Sequence, residues 1–245
     1  MAEVRLNKYL AENAGVSRRE ADRVIANGDV RVNGTIAGLG LKIDDSKDRI
    51  ELNGRTVQKR AVTHYFAVNK PVGYISSTVK QSEKDKLVTE LITSDVRLFP
   101  MGRLDKDSEG LIIMTNDGEL MDRLLRARYG HDKEYLVELS ERVSDSVISD
   151  ISAGGLDIGE GRLTKPCRIS RISDNKVDVI LTEGMNRQIR KMFKTFGYEV
   201  TGLKRVRFMN VLLGDLKPGE YRRLTDKEIK GLKKATESYR KLTDK

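Results

Sequence analysis

Asp105 is the carboxylate whose neighbours best suit it to chemistry. It stands in Phe99–Gly118, FPMGRLDKDSEGLIIMTNDG, after an apolar lead-in at Leu98-Phe99 and before a polar stretch, Lys106–Gly110, and a short apolar run, Leu111–Met114. An apolar run of that length bounded by turn residues reads as a buried strand. Arg103 and Asp105 are therefore expected on a loop between two core segments, where rigid scaffold holds functional groups. A surface turn whose aspartate bonds its own backbone is the plainer alternative, and these residues alone do not separate the two. A carboxylate acting as nucleophile or base must stay ionised while partly desolvated, which calls for a cation within ~4–6 Å. Arginine suits this better than lysine because its planar fork fixes the carboxylate's orientation. Arg190, in the first turns of a helix over Asn186–Phe196, can supply that cation, and the helix N-terminus favours a negative group nearby. Tyr135, in the alternating segment KEYLVEL, adds an aromatic ring.

These side chains need elements to hold them. In Asn186–Phe196, Ile189, Met192, Phe193 and Phe196 fall at i, i+3, i+4, i+7, while Arg187, Arg190, Lys191 and Lys194 take the same spacing on another face. One side should enter a core and the other present four cations to something anionic. Asn186 reads as the N-cap and Gly197 as the stop. Lys133–Leu139 alternates as a strand. Tyr65–Asn69 does too, stopped by Pro71, with a bend at Gly73 before a strand at Tyr74–Thr78. A short helix is expected at Leu87–Ile92. Gly118–Arg128 is amphipathic, with Leu120, Met121, Leu124 and Leu125 inward and Arg123, Arg126 and Arg128 outward. A helix at Ser144–Ser152, strands at Cys167–Ile172, Lys176–Thr182 and Tyr198–Phe208, and a closing helix at Asp226–Leu242 complete the pattern. The fold class is α+β, a largely antiparallel mixed sheet flanked by helices.

The first sixty residues have a different organisation. Arg5–Ala14 is a helix with Leu6, Tyr9 and Leu10 on one face. Ser17 and Glu20 fit a capping box, opening a second helix that buries Ala21, Val24 and Ile25. Short strands follow at Val30–Asn33, Leu41–Ile43 and Arg49–Leu52, with hairpin-type turns at Asn33-Gly34 and Asn53-Gly54. The division is thus a small N-terminal domain over 1–60 and a larger domain over 61–245, with Val57–Thr63 as linker. Arg5, Lys8, Arg18, Arg19 and Arg23 can line a phosphate-binding face, or simply solvate a helical surface.

Composition narrows the class. Of 245 residues 34% are charged and the net charge is +9, which points to a polyanionic partner, while 38% hydrophobic content allows a folded core. No stretch approaches the ~18 apolar residues of a membrane span, and the N-terminus lacks a secretion signal's apolar segment. The single cysteine, Cys167, excludes a disulfide framework or a cysteine-based zinc site, and the two histidines lie far apart. A cytoplasmic, monomeric protein without a metal is expected.

The segment LNKYLAENAGVSRREADRVIANGDVRVNG resembles the α-L, or S-four-type, RNA-binding motif. GRLDKDSEGLIIMTNDG, HDKEYLV and EGMNRQIRKMFKTFGYEV resemble the three signature segments of the RsuA-like rRNA pseudouridine synthases, a similarity that spans nearly the whole chain. LDKDSEGL, MNRQIRKM and RVRFMNV are most similar to the branch acting on large-subunit (23S) rRNA. The resemblance implies isomerisation of uridine to pseudouridine in 23S rRNA, free or in a pre-ribosomal particle, and in tyrosine tRNA, without a cofactor. It makes Asp105 the nucleophile or base, Tyr135 the ring that stacks on the uracil, Arg190 the partner of Asp105, Arg103 the side chain entering the RNA stack, and Ile189 part of the base pocket. Arg187 and Lys191 are expected to contact RNA. Whether Asp105 attacks base or ribose, or abstracts a ribose proton, stays open. Competing readings are a non-catalytic RNA-binding ribosome-assembly factor and a base-flipping glycosylase.

Overall fold

The computed structural model describes residues 3–59, 62–125 and 130–243, except for the side chains of 237–243. The chain forms two compact units, one of residues 1–63 with 94–97 and 116–118, the other of the remainder.

In the smaller unit the Leu6–Asn13 helix buries Leu6, Tyr9 and Leu10 against Ala21 and Ile25 of the Arg18–Ala26 helix. The capping box forms: the Glu20 amide donates to Ser17 Oγ at 3.1 Å and the Ser17 amide to Glu20 Oε2 at 3.2 Å. Val30–Val32 pairs antiparallel with Thr35–Ile36 and Ile50–Leu52, and Ile50–Leu52 with Arg55–Thr56. Both tight turns have positive φ at asparagine and glycine, the mirror-image geometry that suits a twisted hairpin.

The larger unit is built on a mixed sheet of nine strands. Its main path runs Arg168–Ser173, Lys176–Leu181, Lys133–Leu139, Val200–Phe208, Glu109–Thr115, Tyr65–Lys70, Tyr221–Arg223. Every pairing in it is antiparallel but one: Glu109 and Gly110 run parallel to Lys204 and Arg205. The sheet is thus two antiparallel halves stitched by two residue pairs, each half with its own core. One gathers Tyr65, Ala67, Leu111 and Ile113 with Leu120, Leu124 and Leu232. The other gathers Val137, Leu139, Val177 and Val179 with Ile151, Ile189, Met192 and Phe193. The stitch demands glycine, because a Cβ on Gly110 would lie 2.3 Å from the Arg205 carbonyl oxygen and its φ is +105°.

Some elements depart from expectation. Tyr74–Thr78 shortens to a strand at Tyr74–Ile75, after which the Ser76 hydroxyl bonds the backbone of Leu104. Leu87–Ile92 is a single 3-10 turn, Val88–Leu91. The helix expected from Asn186 runs Gln188–Thr195, with Arg187 left-handed at its N-cap (φ 50°). Gln188 causes the shift: its side-chain oxygen accepts from the Met185 amide and closes the preceding turn. Leu125, expected inward, is 43% exposed, since it lies 100° round the helix from the buried stripe of Leu120 and Leu124. Arg126 and Arg128 lie outside the described residues.

Candidate active site

A cleft of about 490 Å³ opens beside the parallel stitch. Its walls come from Met101–Asp105, from Lys133 and Tyr135, from the segment Leu181–Ile189, and from Leu203, Arg205 and Phe208. Asp105, Tyr135, Arg103, Arg187 and Ile189, drawn from three separate stretches of sequence, therefore share one cavity. Arg190 and Lys191 are not among its lining residues.

The loop that carries Asp105 is clamped on both sides. Ser76 Oγ accepts from the Leu104 amide at 3.0 Å and donates to its carbonyl at 2.8 Å. The Gly73 amide donates to the Lys106 carbonyl at 2.7 Å. Beneath, the fully buried Lys70 ammonium donates to the carbonyls of Pro71 and Tyr74, closing the turn that supplies Gly73 and Ser76. Burial pulls Lys70 down to about 8, opposed by the charges of Asp107 and Asp105.

The guanidinium beside Asp105 is that of Arg187, 3.7 Å from its carboxylate. Arg187 also holds Asp107 in a fork, at 3.0 and 2.8 Å. That pairing keeps the Asp107 carboxyl below the usual range and raises Arg187. Arg190, expected to pair with Asp105, instead donates to the carbonyls of Asp107 at 2.9 Å and Val200 at 2.7 Å, with Nε 3.4 Å from the Asp107 carboxylate. It straps the loop to the neighbouring strand. The Asp105 side chain is 37% exposed, so the desolvation expected for it is absent while the cleft is open.

The four cations of the Gln188–Thr195 helix and its cap do not all face outward to a foreign anion. Arg187 and Arg190 meet Asp107, and Lys191 pairs with Glu160. Arg103 is exposed at the rim and makes no ion pair among the described residues. In the smaller unit Arg5, Arg18, Arg19 and Arg23 are exposed and form no ion pair among the described residues, while Lys8 meets Glu12 at 3.8 Å.

A buried acid fixes the far wall. Glu183 accepts from Arg162 at 2.8 Å, from the Lys165 amide at 2.9 Å and from Gln188 Nε2 at 2.7 Å, and Gln188 in turn holds Met185. The roles of Glu183, Gln188 and Ser76 carried no signal in the sequence, because each is defined by a partner that only the fold brings near, whereas Gly73 was legible as a bend. The described residues gather no cluster of three side chains able to hold a metal, and no helix among them is long and apolar enough to cross a membrane.

A half-open carboxylate among guanidinium groups, with an aromatic ring sharing the cavity, is equipment for chemistry on a nucleic-acid base. The comparisons with known proteins agree. Residues 64–195 match the RNA pseudouridylate synthase family and residues 4–50 the S4 domain. The chain is 43% identical over 235 residues to the dual-specificity RNA pseudouridine synthase RluF of Salmonella typhi, covering 95% of this chain and 80% of that protein. It is 36% identical over 238 residues to the ribosomal large subunit pseudouridine synthase B of Bacillus subtilis, covering 94% and 95%. A crystal structure of a pseudouridylate synthase superposes with a TM-score of 0.69 at 32% identity, covering 94% of this chain and 99% of that one. The chain belongs to the RNA pseudouridine synthase family, in its RsuA-like group.

Proposed function

We propose that this enzyme isomerises one uridine of large-subunit ribosomal RNA, and one of a tyrosine tRNA, with Asp105 at the reaction centre. The observation carrying this reading is the single cleft lined by Asp105, Tyr135, Arg103 and Arg187, in a chain 43% identical to a dual-specificity relative. Its volume lies within the ~300–1,000 Å³ typical of small-ligand clefts.

The target uridine leaves its stack at a cost of a few kcal/mol. Arg103, exposed at the rim, fills the gap, and Tyr135 stacks on the base, an interaction typically worth ~1–3 kcal/mol. The bound base displaces water from Asp105 and supplies the desolvation that the open cleft lacks. Arg187 stands 3.7 Å from the carboxylate, and Arg190 holds the loop through Asp107. The N1–C1′ bond breaks, the uracil turns, and C5 bonds to C1′. No atom is gained or lost, so the chain's own side chains suffice. Residues 1–60 act as the RNA-gripping α-L domain and residues 61–245 as the catalytic domain. The protein is read as a monomer, and an RNA substrate of this kind suits work in the cytoplasm.

The test uses purified full-length protein and ribosomal RNA from cells lacking this gene. The expected outcome is one new pseudouridine formed without added metal or cofactor. Asp105→Asn abolishes it and leaves RNA affinity within about threefold, since an uncharged isostere keeps the cleft's shape. Unchanged conversion in Asp105→Asn removes that residue from the chemistry. Release of free uracil means a glycosylase, and binding without conversion an assembly factor.

A further inference from the structure

Two cations, the buried Arg205 and the half-buried Lys133, line the cleft and play no part in the reaction as described so far. Arg205 is 3% exposed, donates Nε to the Leu111 carbonyl at 2.7 Å and lies 5.9 Å from the centre of the Phe208 ring. Lys133 donates to the carbonyls of His131 at 3.2 Å and Glu183 at 3.4 Å, both at or beyond the long end of the normal range. Neither meets a carboxylate within ion-pair distance among the described residues, and the Glu183 carboxylate is already committed to Arg162, Lys165 and Gln188. A desolvated cation without a counter-ion is costly, and an ammonium has three protons to place. Lys133 sits two residues before Tyr135 on one strand, and Tyr135 is directly opposite Arg205 in the sheet register. A ring stacked on Tyr135 lies next to both cations.

We propose that Lys133, backed by Arg205, donates a hydrogen bond to a carbonyl oxygen of the uracil and stabilises the negative charge that gathers on the base as N1–C1′ breaks. This rests on the isomerisation reading. The electron pair of the N1–C1′ bond leaves with the uracil and spreads from N1 onto its carbonyl oxygens. After the base turns, the ring's electrons form C5–C1′. The C5 proton departs to a base in the cleft, its bonding pair stays in the ring, and N1 takes up one proton. The ledger closes with no oxidant or co-reactant, and Lys133 keeps its own proton throughout. The arrangement is that of a preorganised donor aimed at charge present only as the bond breaks.

The charged and titratable groups around Lys133 are Arg205 on the neighbouring strand, Asp132 and His131 just before it, and Glu183 on the opposing loop. Burial and Arg205 bring its ammonium down to about 8, against the pull of Asp132 and Glu183.

The experiment is single-turnover pseudouridine formation by the full-length protein on ribosomal RNA from cells lacking the gene, from pH 6 to 10. Lys133→Met is expected to lower the rate at least ~100-fold, the loss typical of removing such a donor, with RNA affinity within about threefold because the charge does not exist in the bound ground state. Lys133→Arg is expected to keep at least a tenth of the rate and to lose the fall that the unsubstituted enzyme shows above about pH 8. A Lys133→Met rate within fivefold of the original overturns the proposal. So does an alkaline fall that Lys133→Arg leaves unchanged in both midpoint and depth, a measurement that decides the matter alone if Lys133→Met does not fold. If the unsubstituted enzyme forms no pseudouridine, the isomerisation reading fails first and this proposal with it.

Discussion

Lys133→Met should make the protein more stable while it removes activity. In an unfolded chain the ammonium titrates near 10.5; in the fold it is held to about 8, chiefly by burial. At ~1.36 kcal/mol per unit of pKa, keeping it charged costs the folded state ~3 kcal/mol. Methionine fills similar volume without the charge, but it forfeits the bonds to the His131 and Glu183 carbonyls, at ~0.5–1.5 kcal/mol for each bond. The net gain at pH 7 is ~0–2 kcal/mol, or up to ~8 °C in Tm for a domain of this size. The sign of the pH dependence follows by linkage. Between pH 8 and 10.5 the unfolded chain binds the proton and the folded one does not, so stability of the unsubstituted protein rises with pH across that window. The advantage of Lys133→Met is therefore fully present below about pH 8 and gone by about pH 10.5. Lys70, depressed in the same way, is common to both proteins and cancels. Urea unfolding followed by near-ultraviolet circular dichroism of the tyrosines reads the larger unit, which holds every tyrosine but Tyr9. A Lys133→Met protein less stable than the original at pH 7, or a gap that does not close as pH rises, refutes the reasoning.

Gly110→Ala should cost ~3 kcal/mol or more and abolish conversion, since the new methyl meets the Arg205 carbonyl oxygen at 2.3 Å and must adopt φ +105°. Gly38→Ala, in open space and without a positive φ, is the control, and equal melting temperatures for the two would contradict the close approach. Glu183→Ala strands the Lys165 amide, Gln188 and Arg162; Arg162 is 45% exposed and partly screened, so a loss of ~2–3 kcal/mol is expected. Hydrogen exchange across 181–189 should rise, and unchanged protection there would dismiss the strut. Replacing Arg18, Arg19 and Arg23 together with alanine should flatten the slope of log affinity against log salt by ~2–3 while single-turnover conversion at saturating enzyme is unaltered; an unchanged slope means that this face does not touch RNA.

Where a short-range device decides structure, the sequence was legible. Ser17 and Glu20 cap as their spacing implies, the Asn-Gly pairs turn where they stand, and Lys133–Leu139 runs between the expected residues. The arrival of Asp105, Tyr135 and Ile189 in one cleft was readable only through motif resemblance, because nothing in 105 or 135 alone specifies a contact across the sheet. What escaped depends on partners that periodicity does not name. Ser76 grips Leu104 from 28 residues away. Arg187, counted as one of a row of helical cations, is a left-handed cap that reaches back to Asp107. Lys133 reads as a polar member of an alternating strand, yet it faces the cleft, as does Arg205 of the neighbouring strand. Alternation tells which residues share a face, and not whether that face meets water.

The cations of this chain sort themselves by what they touch, and the sorting argues for where charge must come from. Arg187, Arg190 and Lys191 are answered by Asp107 and Glu160, carboxylates of the chain itself. Among the described residues Lys133 and Arg205 bond carbonyls and face an aromatic ring, with no carboxylate within ion-pair distance, at a place where the fold bears the cost of desolvation. Arg205 stands where the two halves of the sheet are joined by its one parallel pairing among the described residues, and Lys133 lies on the strand beside it. Both halves therefore hold the backbone of Arg205. A rigid, unanswered pair of cations beside a stacking ring gains its counter-charge only when a bound base acquires one. A fold that merely held RNA would have placed them at the surface, where phosphates reach them and water lowers the cost.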